Sequence, residues 1–311
     1  MRVLRRLVIL AAVAIAQPAM AAPQVVATIA PLHSLVAAVM VGVGEPTLLL
    51  PGNASPHAYT MRPSQARMLA DADMVVWVGP QLETFLEKPL ATLGGRARVV
   101  AMADVAGILR LPVREGGIWE EDGHGDHDHG GHGHEAEEAY DAHLWLDPSN
   151  ARALAETVAK ELAVLDPDNA PAYRRNLDSV TRELDALDAE IQDMLSPVKT
   201  RPFLVFHDAY QYFEHRYGLS PIGSITVAAD RQPGARRIAA IRDRIHSSGT
   251  KCLFREPQFA SRIIEPITQG LPVRLGILDP LGGSVPSGPK QYPAMMRALA
   301  QAAHACLSTP D

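Results

Sequence analysis

Short apolar runs alternating with helix-length segments constrain this chain more than any other feature. The runs QVVATIA, PTLLLP, DMVVWVG and RVVAM fill the first half, and FLVFHDAY, KCLFREPQF and VRLGILDP the second. Each reads as a short strand in a largely buried sheet. Parallel strands of that kind need crossover helices between them. The expected fold is α/β, with two Rossmann-like lobes of parallel sheet and flanking helices.

Between the two series lies one long helical pattern. Tyr173, Leu177, Val180, Leu184, Leu187, Ile191 and Met194 are spaced alternately by four and three, which is a single helical face. Asn169 suits the N-cap, Pro171 the first turn, and Ser196 before Pro197 the stop. A helix of this length is roughly 37 Å long at 1.5 Å per residue. It is expected to be one rigid connector, residues 169–197, between an N-terminal lobe, 22–168, and a C-terminal lobe, 198–311.

Residues 1–21 read as a cleavable signal peptide, because Arg2, Arg5 and Arg6 precede LVILAAVAIA and a small-residue AMA site. The apolar run is too short to span a bilayer. The expected location is therefore the periplasm. Formal charge is −6, and loss of the three arginines makes the mature chain more acidic still. That disfavours nucleic acid as a partner. Cys252 and Cys306 lie in the oxidising compartment that the signal implies, so a disulfide tying the last helix to an upstream strand is expected.

The stretch 115–141 differs in kind, with ten acidic residues, five histidines and no Lys or Arg. It cannot bury a core and reads as a flexible loop within the first lobe. His124, His127, His129, His132 and His134 fall within eleven residues, interleaved with glycine and carboxylates. Neutral imidazoles at that density point to a transition metal such as zinc, copper or nickel. A flexible segment loses entropy on binding, so a tighter, preformed site is expected elsewhere.

Three other histidines adjoin apolar runs: His57 after TLLLPGNASP, His143 before LWLDP, and His207 at the end of FLVF. Ligands of doubly wound sheets bind beyond the carboxyl ends of strands. His33, where a strand turns into a helix, suits a polar contact instead. His215, His246 and His304 suit the surface. Asp208 and Asp147 are candidates for holding a ligand imidazole in one tautomer.

The phrases TIAPLHSLV, PGNASPHAYTMRPSQARMLADADMVVWVG, DAHLWLDP, FHDAYQYFEHRYGL, EPQF and LDPLG occur in order between Gln24 and Cys306. Together with an acidic, histidine-rich insertion, they resemble the periplasmic solute-binding proteins of zinc ABC transporters, the cluster A-I group. The resemblance implies one Zn(II) held between two lobes, with His57, His143 and His207 as ligands and Asp279 near the fourth position. Some zinc members carry a glutamate just before the first histidine, where this chain has Pro56. The implied activity is high-affinity zinc capture and delivery to an ABC permease of the inner membrane by a monomer. A periplasmic zinc chaperone is a further expected partner, and the histidine-rich loop is expected to assist acquisition or transfer.

Two rival readings are a manganese or broader-specificity binder of the same fold and a zinc hydrolase. His207 favours zinc over manganese, because imidazole is a softer donor than a carboxylate at that place. HExxH, GxxxxGK[ST] and GxSxG are all absent from the chain, so no enzyme motif supports catalysis.

Overall fold

The computed structural model describes residues 22–52, 54–93, 97–114, 139–226, 233–258 and 264–309. The expected signal peptide and loop histidines His124, His127, His129, His132 and His134 lie outside the described residues.

The first sheet contains β1 (Val25–Ala27), β2 (Thr47–Leu48), β3 (Met74–Trp77) and β4 (Arg98–Ala101), in the order β2-β1-β3-β4. The second contains β5 (Pro202–His207), β6 (Ser220–Thr226), β7 (Cys252–Arg255) and β8 (Arg274–Ile277), ordered β6-β5-β7-β8. All pairings are parallel, so the second lobe repeats the strand order of the first. In each lobe the order reverses beside the first strand. The crevice at such a switch point is where doubly wound sheets take ligands.

Crossovers in the first lobe run through α1 (Ala30–Val39), α2 (Pro63–Ala70) and α3 (Thr84–Leu93). Those of the second are α6 (Gln211–Tyr217), α7 (Ala235–Ser248) and α8 (Glu265–Thr268). β6 carries none of the uniform apolar signal of the other strands. It contains Pro221 and Gly223 and lies at the sheet edge, where a missing N–H donor is tolerated.

α4 (Pro148–Leu165) leads into α5 (Ala170–Leu195), the connector. The face drawn from its spacing is buried: Tyr173, Val180, Leu184, Leu187 and Ile191 pack into the main core. Around it acids and bases pair, with Asp185 to Arg152 of α4, Asp188 to Arg216 of α6, and Glu190 to Arg297 of the final helix, α9 (Gln291–Leu307). Both lobes are thus tied to one rod.

α9 does not stay within the second lobe. Its Tyr292 N donates to Ser34 Oγ of α1 at 2.8 Å, and its Tyr292 hydroxyl donates to the Trp145 carbonyl at 2.9 Å. Its other end is held to the second sheet by the Cys252–Cys306 disulfide, with the two Cα atoms 6.0 Å apart. That is the expected link between last helix and upstream strand.

The stretch 115–141 is structured at its end. Pro112 and Tyr140 form an antiparallel bridge, and Tyr140 and Asp141 are buried. The Tyr140 ring and the Asp141 carboxylate both find partners in the lobe, the first beneath Arg110 and the second at His143.

Candidate metal centre

His57, His143 and His207 converge in the cleft between the lobes. His207 is the last residue of β5, placed at the switch point by the strand itself. His57 sits in a 3₁₀ turn, Pro56–Ala58, that follows β2, with Pro56 fixing the backbone at the turn's start. His143 precedes the buried turn Leu144–Leu146, the apolar run LWL. That run is apolar because it is core, with all three side chains fully enclosed.

The geometry is tight. His143 Nε2 lies 3.3 Å from His57 Nε2 and 3.3 Å from His207 Nε2. One nitrogen from each of the three rings lies within 4.8 Å of the others. Zinc–imidazole bonds of about 2.0–2.1 Å in a tetrahedron set nitrogen pairs roughly 3.3–3.4 Å apart. Two of the three nitrogen pairs therefore stand at the natural edge length of a zinc shell, and the third lies within 4.8 Å.

Two carboxylates aim the rings. Asp141 Oδ1 accepts from His143 Nδ1 at 2.7 Å and from the His143 backbone N–H at 3.0 Å. Glu256 Oε1 accepts from His207 Nδ1 at 2.5 Å. With the proton held on Nδ1, the Nε2 lone pairs face each other, which is unfavourable until a cation or a proton lies between them.

Their electrostatics differ. Burial, followed by the charges of His143 and His207, pushes the His57 pKa down to about 2. At His207 burial also disfavours the charged ring, but the Glu256 carboxylate outweighs it and raises the pKa.

Asp208 and Asp147, the candidates for this supporting role, do other things. Asp208 pairs with Arg114 across the lobes, and Glu214 accepts from the same guanidinium at 2.7 Å. Asp147 caps α4, accepting from the Ser149 N–H and hydroxyl at 2.7 Å each. Asp141 stands only two residues before His143, so Asp-x-His in DAHLW was the available signal. Glu256 is distant in sequence. It reaches His207 because β5 and β7 pair with Val205 beside Phe254, a register that sets 207 against 256.

Asp279 lies outside the converging triad. Its Oδ1 accepts from Gln258 Nε2 at 2.8 Å and from the N–H groups of Leu281 and Gly282, and its Oδ2 from Gly283 N at 2.8 Å. His33 makes the expected polar contact, its Nε2 3.0 Å from the Pro46 carbonyl. His215 and His246 are exposed and His304 is half-buried, all away from the cleft.

The cleft holds a cavity of about 20 Å³, lined in part by the three histidines, Trp145, Glu256 and Gln258. That is room for an ion and little more. Trp145 Nε1 donates to the Pro280 carbonyl at 2.7 Å, joining the lobes beside His143.

The family model for ZnuA, zinc-uptake complex component A, periplasmic, matches residues 25–306. The chain belongs to the ZnuA family. A high-affinity zinc uptake system protein ZnuA of Brucella suis is 45% identical over 310 residues, covering 91% of each chain. The ZnuA protein of Yersinia pestis is 35% identical over 300 residues, covering 93% of this chain and 92% of its own. A crystal structure of a ZnuA deletion mutant with zinc bound aligns with a TM-score of 0.76 and 26% identity, over 93% of this chain and all of the other. The periplasmic zinc-binding protein TroA of Treponema pallidum shares the fold, with a TM-score of 0.77 at 22% identity over 92% of this chain and 99% of its own. Members of the ZnuA family are solute-binding proteins of zinc uptake. Among the described residues no helix is long and apolar enough to cross a membrane.

Proposed function

We propose that this chain captures Zn(II) in the periplasm and hands it to an ABC permease of the inner membrane, making and breaking no covalent bond. The observation that carries this reading is the 3.3 Å spacing of His143 Nε2 from both His57 Nε2 and His207 Nε2. His57, His143 and His207 are the protein ligands, and a solvent oxygen completes the tetrahedron. Asp141 and Glu256 keep the imidazoles in the ligating tautomer. The lobes 22–168 and 198–311 close on the ion, with 169–197 as the connector between them.

The same three-histidine set with an open position serves zinc hydrolases, which also need a general base. Glu256 is the carboxylate in the cavity wall, and it is engaged by His207. Transport without catalysis is the reading that fits this arrangement and the family's role. The protein acts as a monomer, and its signal peptide, 1–21, is cleaved on export. His124, His127, His129, His132 and His134 gather zinc for the cleft or accept it from a zinc chaperone.

Metal analysis of the purified full chain, with competition titrations of His57→Ala, His143→Ala and His207→Ala, tests the core of this reading. Each variant is expected to lose one equivalent of tight zinc. Tight zinc retained by all three, or manganese bound in preference, would overturn it. Deleting residues 123–134 is expected to leave the tight equivalent in place and to reduce uptake when zinc is limiting.

A further inference from the structure

The wall of the cleft carries a polar atom whose role the three histidines leave unexplained. Gln258 Oε1 is buried and has no hydrogen-bond partner among the described residues, while its side chain helps to line the cavity that the histidines enclose. A buried carbonyl oxygen left unpaired is unfavourable, so such an atom calls for a ligand.

Its orientation is not arbitrary. Gln258 Nε2 donates to Asp279 Oδ1 at 2.8 Å, which fixes the amide nitrogen toward the carboxylate and the oxygen away from it. Asp279 is held in turn by the backbone N–H groups of Leu281, Gly282 and Gly283. A rigid turn thus orients a carboxylate, the carboxylate orients an amide, and the amide presents a bare acceptor.

We propose that Gln258 is a positioning residue that accepts a hydrogen bond from the water in the fourth place of the zinc shell. The inference rests on His57, His143 and His207 holding the ion. Zinc sites draw their protein ligands from thiolate, imidazole and carboxylate, so a neutral amide oxygen suits the bound water better than the metal. A metal-bound water has protons to give and the Gln258 carbonyl only lone pairs, so the match is complementary. An anion in the same place offers no proton and meets a second acceptor. Gln258 therefore selects water over halide or pseudohalide at the open vertex, and Asp279 contributes to the site through Gln258.

The test uses the full-length mature protein loaded with cobalt(II), whose visible absorption reports its ligand shell, and zinc competition titrations beside it. Gln258→Met removes the acceptor at nearly constant length. It is expected to bind one equivalent of metal, with altered cobalt absorption, tighter thiocyanate binding to the cobalt form, and zinc affinity weakened by about 10–100-fold. A cobalt spectrum and thiocyanate affinity unchanged from the parent, with zinc affinity within about twofold, would overturn the proposal. Should Gln258→Met not fold by circular dichroism, Gln258→Asn decides the matter, because it withdraws the oxygen by one methylene and keeps both polar ends. The same spectral and thiocyanate changes are expected, and their absence overturns the proposal. A parent protein that binds no cobalt, or a His143→Ala variant that binds it normally, would instead sink the three-histidine site itself.

Discussion

His143 Nε2 and His207 Nε2 stand 3.3 Å apart, one carried by each lobe, and each ring is backed by a buried carboxylate of its own lobe. On the proposed reading, an ion held between them also joins the lobes. A ligand at 100 times its dissociation constant stabilises the folded state by about 2.7 kcal/mol. Zinc is therefore expected to raise the melting temperature of the parent protein, and His143→Ala to abolish that rise, as differential scanning calorimetry would show.

The carboxylates give a second expectation. Asp141→Asn and Glu256→Gln keep shape but weaken the hold on each imidazole. Each is expected to lower zinc affinity by about 10–100-fold while stoichiometry stays at one. Titration against a competing chelator measures both numbers.

The pH response follows from His207. Its pKa is raised, burial being outweighed by Glu256, whereas that of His57 falls to about 2. His57 is thus neutral throughout the physiological range and does not compete with metal. His207 must lose its proton when zinc binds, so affinity declines as pH falls through a value above the ordinary 6.5. In the metal-free protein the sign reverses: the charged His207–Glu256 pair contributes stability that is fully present below 6.5 and lost as pH rises through the folded value. Calorimetric zinc titrations in buffers of different ionisation enthalpy are expected to show proton release near neutrality. Identical heats across those buffers would contradict the assignment.

Much of this was legible in the sequence, and the exceptions have physical causes. The connector face was readable because seven apolar residues share one helical stripe. Seven of the eight described strands announced themselves as apolar runs, whereas β6, an edge strand with Pro221 and Gly223, carries no such run. His57, His143 and His207 were nameable, but only the tertiary structure shows their nitrogens converging. Asp208 and Asp147, the sequence's candidates for supporting carboxylates, pair elsewhere, and Asp141 and Glu256 take that place. Asp208 lies just past the end of β5 and pairs with Arg114, while the β5–β7 register brings Glu256, just past β7, to His207.

Two further changes separate stability from binding. Removing the Cys252–Cys306 bridge by paired alanine substitution is expected to cost about 4 kcal/mol in the chain-entropy picture, with the zinc equivalent retained. Denaturant unfolding in the two redox states measures the loss.

Leu187 of α5 is fully enclosed in the core. Leu187→Ala is expected to cost about 2–5 kcal/mol, read from the shift in urea midpoint, because the connector face packs as core and leaves little room to collapse.

The placement of α9 has a consequence for the order in which the molecule assembles. The helix follows every other described element, yet Tyr292 closes on Ser34 and on the carbonyl of Trp145, both in the first lobe. The first-made half consequently lacks the partners of Ser34 Oγ and the Trp145 carbonyl, and the packing that α9 lends it, until that helix has been made.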